Sequence, residues 1–105
     1  MEKSWRASWF FNEYFLMKVS VELFGVARDL SSKNFIVFEL VKNSSIKDLR
    51  NHLLRFIDSN FNGNEYLKKI INSSSFCSEE DKVISDNFII EKTQRFSIIP
   101  PIGGG

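Results

Sequence analysis

The segment Ile99-Pro-Pro-Ile-Gly-Gly-Gly105, at the end of this 105-residue chain, carries the residue types that most directly suggest chemistry. It holds both prolines and three of the five glycines, and Arg95 is the last charged side chain before it. Pro100 biases Ile99 to extended backbone, and Pro101 continues the stiffness. The three glycines bring neither side chains nor backbone restraint. A stiff stem with a thin tip can thread a channel too narrow for any other residue and present a terminal carboxylate at its far end. A free carboxylate is a poor acyl donor, so a second protein would have to activate it, for example by adenylation, before a nucleophile attacks. In that reading the chain is a carrier and not a catalyst. Terminal glycines alone more often mark a frayed end or an expression scar; the preceding Ile-Pro-Pro-Ile argues against that here.

Other reactive residue types are sparse. With one cysteine, Cys77, and one histidine, His52, the chain cannot build a disulfide framework or a standard Cys/His zinc site from its own side chains. His52 lies beside Lys47, Arg50 and Arg55 in sequence and reads as part of a solvated helix face, with no second catalytic partner in view. Cys77 reads as a small buried hydrophobe, and Glu79-Glu80-Asp81 as a solvated turn and not a metal site. Fourteen Lys+Arg against thirteen Asp+Glu leave a formal charge of +1, without the basic surplus that duplex nucleic acid or an anionic membrane would select. The phenylalanines read as core packing because no Lys/Arg stripe accompanies them. No run approaches the roughly eighteen apolar residues of a membrane span, and the lone cysteine fits a reducing compartment, so a cytoplasmic location is expected.

Three regions organise the chain. Residues 1–16 hold both tryptophans and six of the fifteen aromatic residues. Asn12 and Glu13 interrupt both the continuous apolar run of a secretory signal and the helical stripe of Trp5, Trp9 and Leu16. This segment is read as an N-terminal extension, either loosely ordered or ahead of a natural start at Met17. Residues 17–99 form the domain, and residues 100–105 the reactive tail. Within the domain, Val19, Val21 and Leu23 alternate with Lys18, Ser20 and Glu22, the pattern of a half-buried strand. Turn residues around Gly25 and Asp29 to Asn34 separate it from a second strand, Phe35 to Val41, in a hairpin-like pair. Ser45 and Asp48 then predict a capped start for a helix whose apolar stripe is Ile46, Leu49, Leu53, Phe56 and Ile57. Asp58 to Asn64 reads as an exit loop and Glu65 to Ile71 as a short second helix. Phe76-Cys77, Val83-Ile84 and Arg95 to Ile99 read as strands, the last ended by Pro100. The order predicts an α+β fold, one sheet with a helix packed across one face.

Phe96-Ser-Ile-Ile-Pro-Pro-Ile-Gly-Gly-Gly105 resembles the end of the small, sulfur-carrying subunit of molybdopterin synthase, a ubiquitin-like β-grasp family. That family closes on a strand, then Ile/Phe-Pro-Pro-Val, one variable residue and Gly-Gly. Leu23-Phe-Gly-Val-Ala-Arg-Asp-Leu30 resembles its Phe-Ala/Gly-x-x-Arg-Glu-Leu motif, and Ser45-Ile-Lys-Asp-Leu49 its helix start, so the resemblance spans residues 17–105. Thr93-Gln94 stands where many members have Gly-Asp, and Phe76-Cys77-Ser78 where the third strand often has Val-Asn.

The resemblance implies a β-grasp with a mixed sheet, one main helix across one face and a flexible glycine-rich tail. It implies that Gly105 is the reacting residue. An E1-like adenylyltransferase activates its carboxylate with ATP, sulfur from a donor protein replaces the adenylate, and the thiocarboxylate enters the large synthase subunit. There it donates sulfur to cyclic pyranopterin monophosphate. Gly103 and Gly104 let Gly105 reach; Pro100, Pro101 and Ile102 lead to them. No tightly bound cofactor is implied for this chain. Phe24 and Ile99 are apolar residues on otherwise wet strand faces. If the first and last strands are neighbours, they form a partner-binding patch beside the tail, with Arg28 at its rim. Two other readings remain: a sulfur carrier for thiamine synthesis, cysteine synthesis or tRNA thiolation, or a β-grasp binding module with no use for a free terminal carboxylate.

Overall fold

The computed structural model describes residues 16–101. The chain runs β1 (Leu16–Leu23), a 3-10 helix (Gly25–Leu30), β2 (Phe35–Val41), α1 (Ile46–Asn60), α2 (Glu65–Ser73), β3 (Ser75–Cys77), β4 (Val83–Ile84) and β5 (Gln94–Ile99). The five strands form one sheet in the order β2-β1-β5-β3-β4. β1 pairs antiparallel with β2 and parallel with β5, and β5 pairs antiparallel with β3. The sheet is therefore mixed, and β5 lies at its centre.

Alternation in β1 places Met17, Val19, Val21 and Leu23 on the helix side, all buried. They meet Ile46, Leu49, Leu53 and Ile57 of α1, Leu67, Ile70 and Ile71 of α2, and Phe76, Phe96 and Ile98 from the central strands in one core. Each such fully buried aliphatic or aromatic side chain contributes about 1.5–3 kcal/mol. The helix stripe and both strand faces read from the sequence are present. β1 opens at Leu16, one residue before the compositional break at Met17. The β1–β2 connection differs from a simple turn: it winds through the 3-10 helix, which buries Ala27 and Leu30.

α1 starts where its cap residues predict. Asp48 N–H donates to Ser45 Oγ at 3.2 Å and Ser45 N–H donates to Asp48 Oδ2 at 2.9 Å. These bonds to Ser45 hold the Asp48 carboxyl below its ordinary range. The helix runs on to Asn60, into the expected Asp58–Asn64 loop, which shortens to residues 61–64. Phe61 N–H donates to Ile57 O, Phe61 packs on Phe56, and Asn62 and Gly63 take the left-handed backbone that turns the chain. Asn64 then caps α2, its Oδ1 accepting from Leu67 N–H at 3.0 Å.

Residues 85–92, unassigned by pattern, cross the start of α1. The first-turn amides of Ile46 and Lys47 donate to Phe88 O and Asp86 O, and Ile90 N–H donates to Ser44 O. Ile90 is fully buried as a result. Arg50 joins the same region. Its Nε and Nη2 donate to the Asp86 carboxylate at 3.2 and 2.8 Å, and its Nη1 donates to Ile71 O and Ser74 O at 2.6 and 2.9 Å. The guanidinium also lies 5.0 Å from the Phe76 ring centroid. Arg50 is thus a partly buried clamp, correcting its assignment to a solvated face: the carbonyls at the end of α2 need a donor, and this side chain reaches them. Arg50→Ala is expected to lower unfolding stability by about 2–3 kcal/mol in urea titrations. Arg50→Lys, which lacks the planar fork, should lose roughly half of that. Wild-type stability in Arg50→Lys would show that the forked geometry contributes nothing. Ser45→Ala should cost about 1 kcal/mol by the same measurement.

Candidate functional site: the root of the C-terminal tail

β5 delivers the tail from the middle of the sheet. Ile98 is paired on both sides, with Leu23 of β1 and with Phe76 of β3, and Ile99 on one, with Ser75. Pro100 has no N–H, so the ladder stops there. The Pro100 ring lies against Gly25, whose φ is +56°. A Cβ added at Gly25 would stand 3.7 Å from Pro100 Cγ, an ordinary contact, so the left-handed backbone and not lack of space favours glycine at this turn. Pro100 and Pro101 are half-buried and line a small groove of about 60 Å³ with Val26 of the 3-10 helix and Tyr66, Lys69, Ile70 and Ser73 of α2. α2 and the 3-10 helix therefore aim the stem. Sequence reasoning missed this groove because its residues are apolar or polar singly, and only the packing of two helices beside β5 brings them together. Ile102, Gly103, Gly104 and Gly105 lie outside the described residues.

Phe24 and Ile99 each follow a residue of the Leu23–Ile98 pair, so they are placed side by side at the ends of neighbouring strands. They are 41% and 43% exposed, beside the departing tail. Arg28 is exposed in the last turn of the 3-10 helix that follows Phe24. The N-terminal extension read from the sequence, residues 1–16, lies outside the described residues except at Leu16.

The site contains no acid–base or nucleophilic constellation among the described residues, nor any group of three His, Cys, Asp or Glu side chains able to hold a metal ion. Cys77 is buried between β4 and β5, opposite Val83 and Ser97. Glu79, Glu80 and Asp81 are exposed in a turn where Asp81 N–H donates to Ser78 O, and Glu79 Oε1 accepts from Arg95 N–H. Thr93 ends the turn before β5 by accepting from Lys18 N–H at 3.3 Å. No helix among the described residues is long and apolar enough to cross a membrane.

No family model and no curated protein matches the chain. Among solved structures it is similar to a Pyrococcus furiosus protein provisionally assigned as molybdopterin converting factor, subunit 1. The TM-score is 0.62 at 16% identity, covering 82% of this chain and 99% of that one. It is similar to SAMP1 from Haloferax volcanii, with a TM-score of 0.59, 11% identity, and 84% and 99% coverage. It is similar as well to a Caldiarchaeum subterraneum ubiquitin, with a TM-score of 0.55, 12% identity, and 86% and 99% coverage. The fold is the ubiquitin-like β-grasp. In this β-grasp the sheet centre, the 3-10 helix and α2 converge on the point where the chain's own terminus departs.

His52 departs from expectation. It is half-buried, its ring 5.9 Å from that of Phe38, and burial holds the imidazole below its ordinary value of 6.5; Arg55 adds to the shift and Asp48 opposes it. Phe38 on β2 draws the ring inward, which the charges flanking it in sequence did not reveal. Because the unfolded chain binds this proton more readily, the stability is fully present above pH 6.5 and is lost as pH falls through that value toward the lower folded one. His52→Gln should therefore flatten the fall in unfolding stability between about pH 7 and 5. An unchanged slope would assign that dependence to other groups.

Proposed function

We propose that this chain is the sulfur-carrying small subunit of a molybdopterin synthase. One observation supports the reading above the rest: the Ile99-Pro-Pro-Ile-Gly-Gly-Gly105 terminus continues directly from β5, the strand hydrogen-bonded on both sides at the centre of a β-grasp sheet. The tail's root is held and its tip is made of residues that can enter a narrow channel. A Gly105 carboxylate oxygen would attack the α-phosphorus of ATP on an E1-like enzyme, releasing pyrophosphate. A persulfide sulfur from a donor protein would then attack the acyl carbon and expel AMP, and thiol reduction of the resulting acyl disulfide would leave the thiocarboxylate. The large synthase subunit would supply the catalytic side chains for transfer to cyclic pyranopterin monophosphate. Phe24, Arg28 and Ile99 would meet that subunit beside the channel mouth, with Pro100, Pro101 and Ile102 at the entrance and Gly103 and Gly104 within it.

The likeness to a molybdopterin converting factor subunit favours this pathway over the other sulfur carriers. The same acyl-adenylate could also be taken by a protein amine, which would make the chain an isopeptide-linked modifier. The test is intact-mass and C-terminal-peptide analysis after coexpression with an E1-like enzyme and a sulfur donor. An oxygen-to-sulfur exchange localised to the terminal glycines is expected, and localisation is needed because oxidation of Met1 or Met17 gives nearly the same shift. Deleting Gly105, or adding residues after it, should abolish the exchange while leaving thermal unfolding unchanged. An unmodified carboxylate under activating conditions would point to a β-grasp binding module, and a branched lysine peptide to a modifier.

A further inference from the structure

β2 is an open edge among the described residues, and it carries none of the usual protection. The strand order pairs it with β1 on one side only. Leu23 N–H donates to Asn34 O at 2.7 Å, so the peptide groups at 34, 36, 38 and 40 turn toward β1. By the alternation of an antiparallel strand, those of Phe35, Val37, Glu39 and Val41 turn outward. The side chains of the same residues are exposed, Phe35 by 42%, Val37 by 47% and Val41 by 60%. The opposite edge, β4, is two residues long and follows Glu79, Glu80, Asp81 and Lys82, so it is blunted by brevity and charge. β2 has seven residues, no proline, no glycine and a single charge, which makes it a template for a further strand.

We propose that this edge pairs with β2 of a second copy of the chain, antiparallel, about a two-fold axis at Val37. Charge complementarity argues for a second copy, and charge together with strand overlap argues for this register. With Val37 facing its own counterpart, Phe35 of each copy faces Glu39 of the other and Ile36 faces Phe38. Lys33 Nζ lies 5.9 Å from the ring centroid of Phe35, the residue that the second copy's Glu39 faces. The two-fold therefore makes two Lys33–Glu39 contacts and sets no like charges opposite one another. An axis at Ile36 would set Lys33 opposite Glu39 but pairs only Phe35 to Val37 of the strand; an axis at Phe38 loses both contacts and leaves the two Glu39 carboxylates diagonal to each other; an axis at Glu39 sets them face to face. On the helix side, Phe38 packs edge-on against Phe56 at 6.2 Å and is half-buried, so Ile36 of the second copy completes its cover. β1 separates the seam from β5, which leaves the root of the tail free in both copies. A seam of one strand pair is small, so the association is a reversible equilibrium and not a permanent dimer.

Sedimentation velocity of the full-length chain over a concentration series tests this, with far-UV circular dichroism and thermal unfolding as folding controls. The wild-type chain should shift from monomer to dimer with rising concentration. Val37→Lys sets two ammonium groups face to face and should raise the dimer dissociation constant more than about tenfold with the fold intact. Glu39→Lys should weaken the dimer, and the double variant Lys33→Glu/Glu39→Lys should restore it. A wild-type chain that stays monomeric at every concentration would overturn the proposal, as would a dimer indifferent to Val37→Lys. A double variant no better than Glu39→Lys would overturn the register.

Discussion

One guanidinium holds three parts of this chain in place. Arg50 projects from α1, binds the Asp86 carboxylate with two nitrogens and gives the third to the carbonyls of Ile71 and Ser74. The end of α2 is thereby tied to the segment that crosses the start of α1. Those carbonyls belong to the last turn of α2 and the residue before β3, where the helix can no longer supply amide donors and a cation is favoured. Because β3 pairs with β5, the clamp also bears on the strand that carries the terminus. A lysine there would keep the charge and lose the simultaneous reach to two elements.

The central place of β5 gives the terminus its character. Edge strands fray, whereas β5 is held by β1 as far as Ile98 and by β3 as far as Ile99. The transition from fixed backbone to stiff stem takes place within one residue, at Pro100, whose ring rests on the left-handed turn at Gly25. Val26 and Tyr66 line a groove together with Pro101.

Apolar surface is distributed in two places with different consequences. Phe24 and Ile99 flank the tail at the ends of two paired strands, while Phe35, Val37 and Val41 lie along β2 at the sheet's edge. Between them the outward faces of β1 and β5 carry Lys18, Ser20, Glu22, Arg95 and Ser97. The two patches thus share no residue.

Much of this was legible in the sequence. Period-two alternation specified β1, a run of β-branched and aromatic residues after turn residues specified β2, the Ser45–Asp48 pair specified the start of α1, and Pro100 specified the end of β5, because each depends on neighbours within a few positions. The end of α1 was not legible: Asn60 stays helical because Phe61 packs on Phe56, a contact that only forms once the chain has turned at Asn62 and Gly63. Nor were Ile90, Arg50 and His52, whose surroundings come from residues 14 to 47 positions away. Local covalent and steric rules determined the character of the last segment: two prolines that restrict the backbone, followed by three glycines. Tertiary structure alone decided where it is held and which surfaces accompany it, since strand order and helix packing follow from long-range burial that no short stretch of sequence contains.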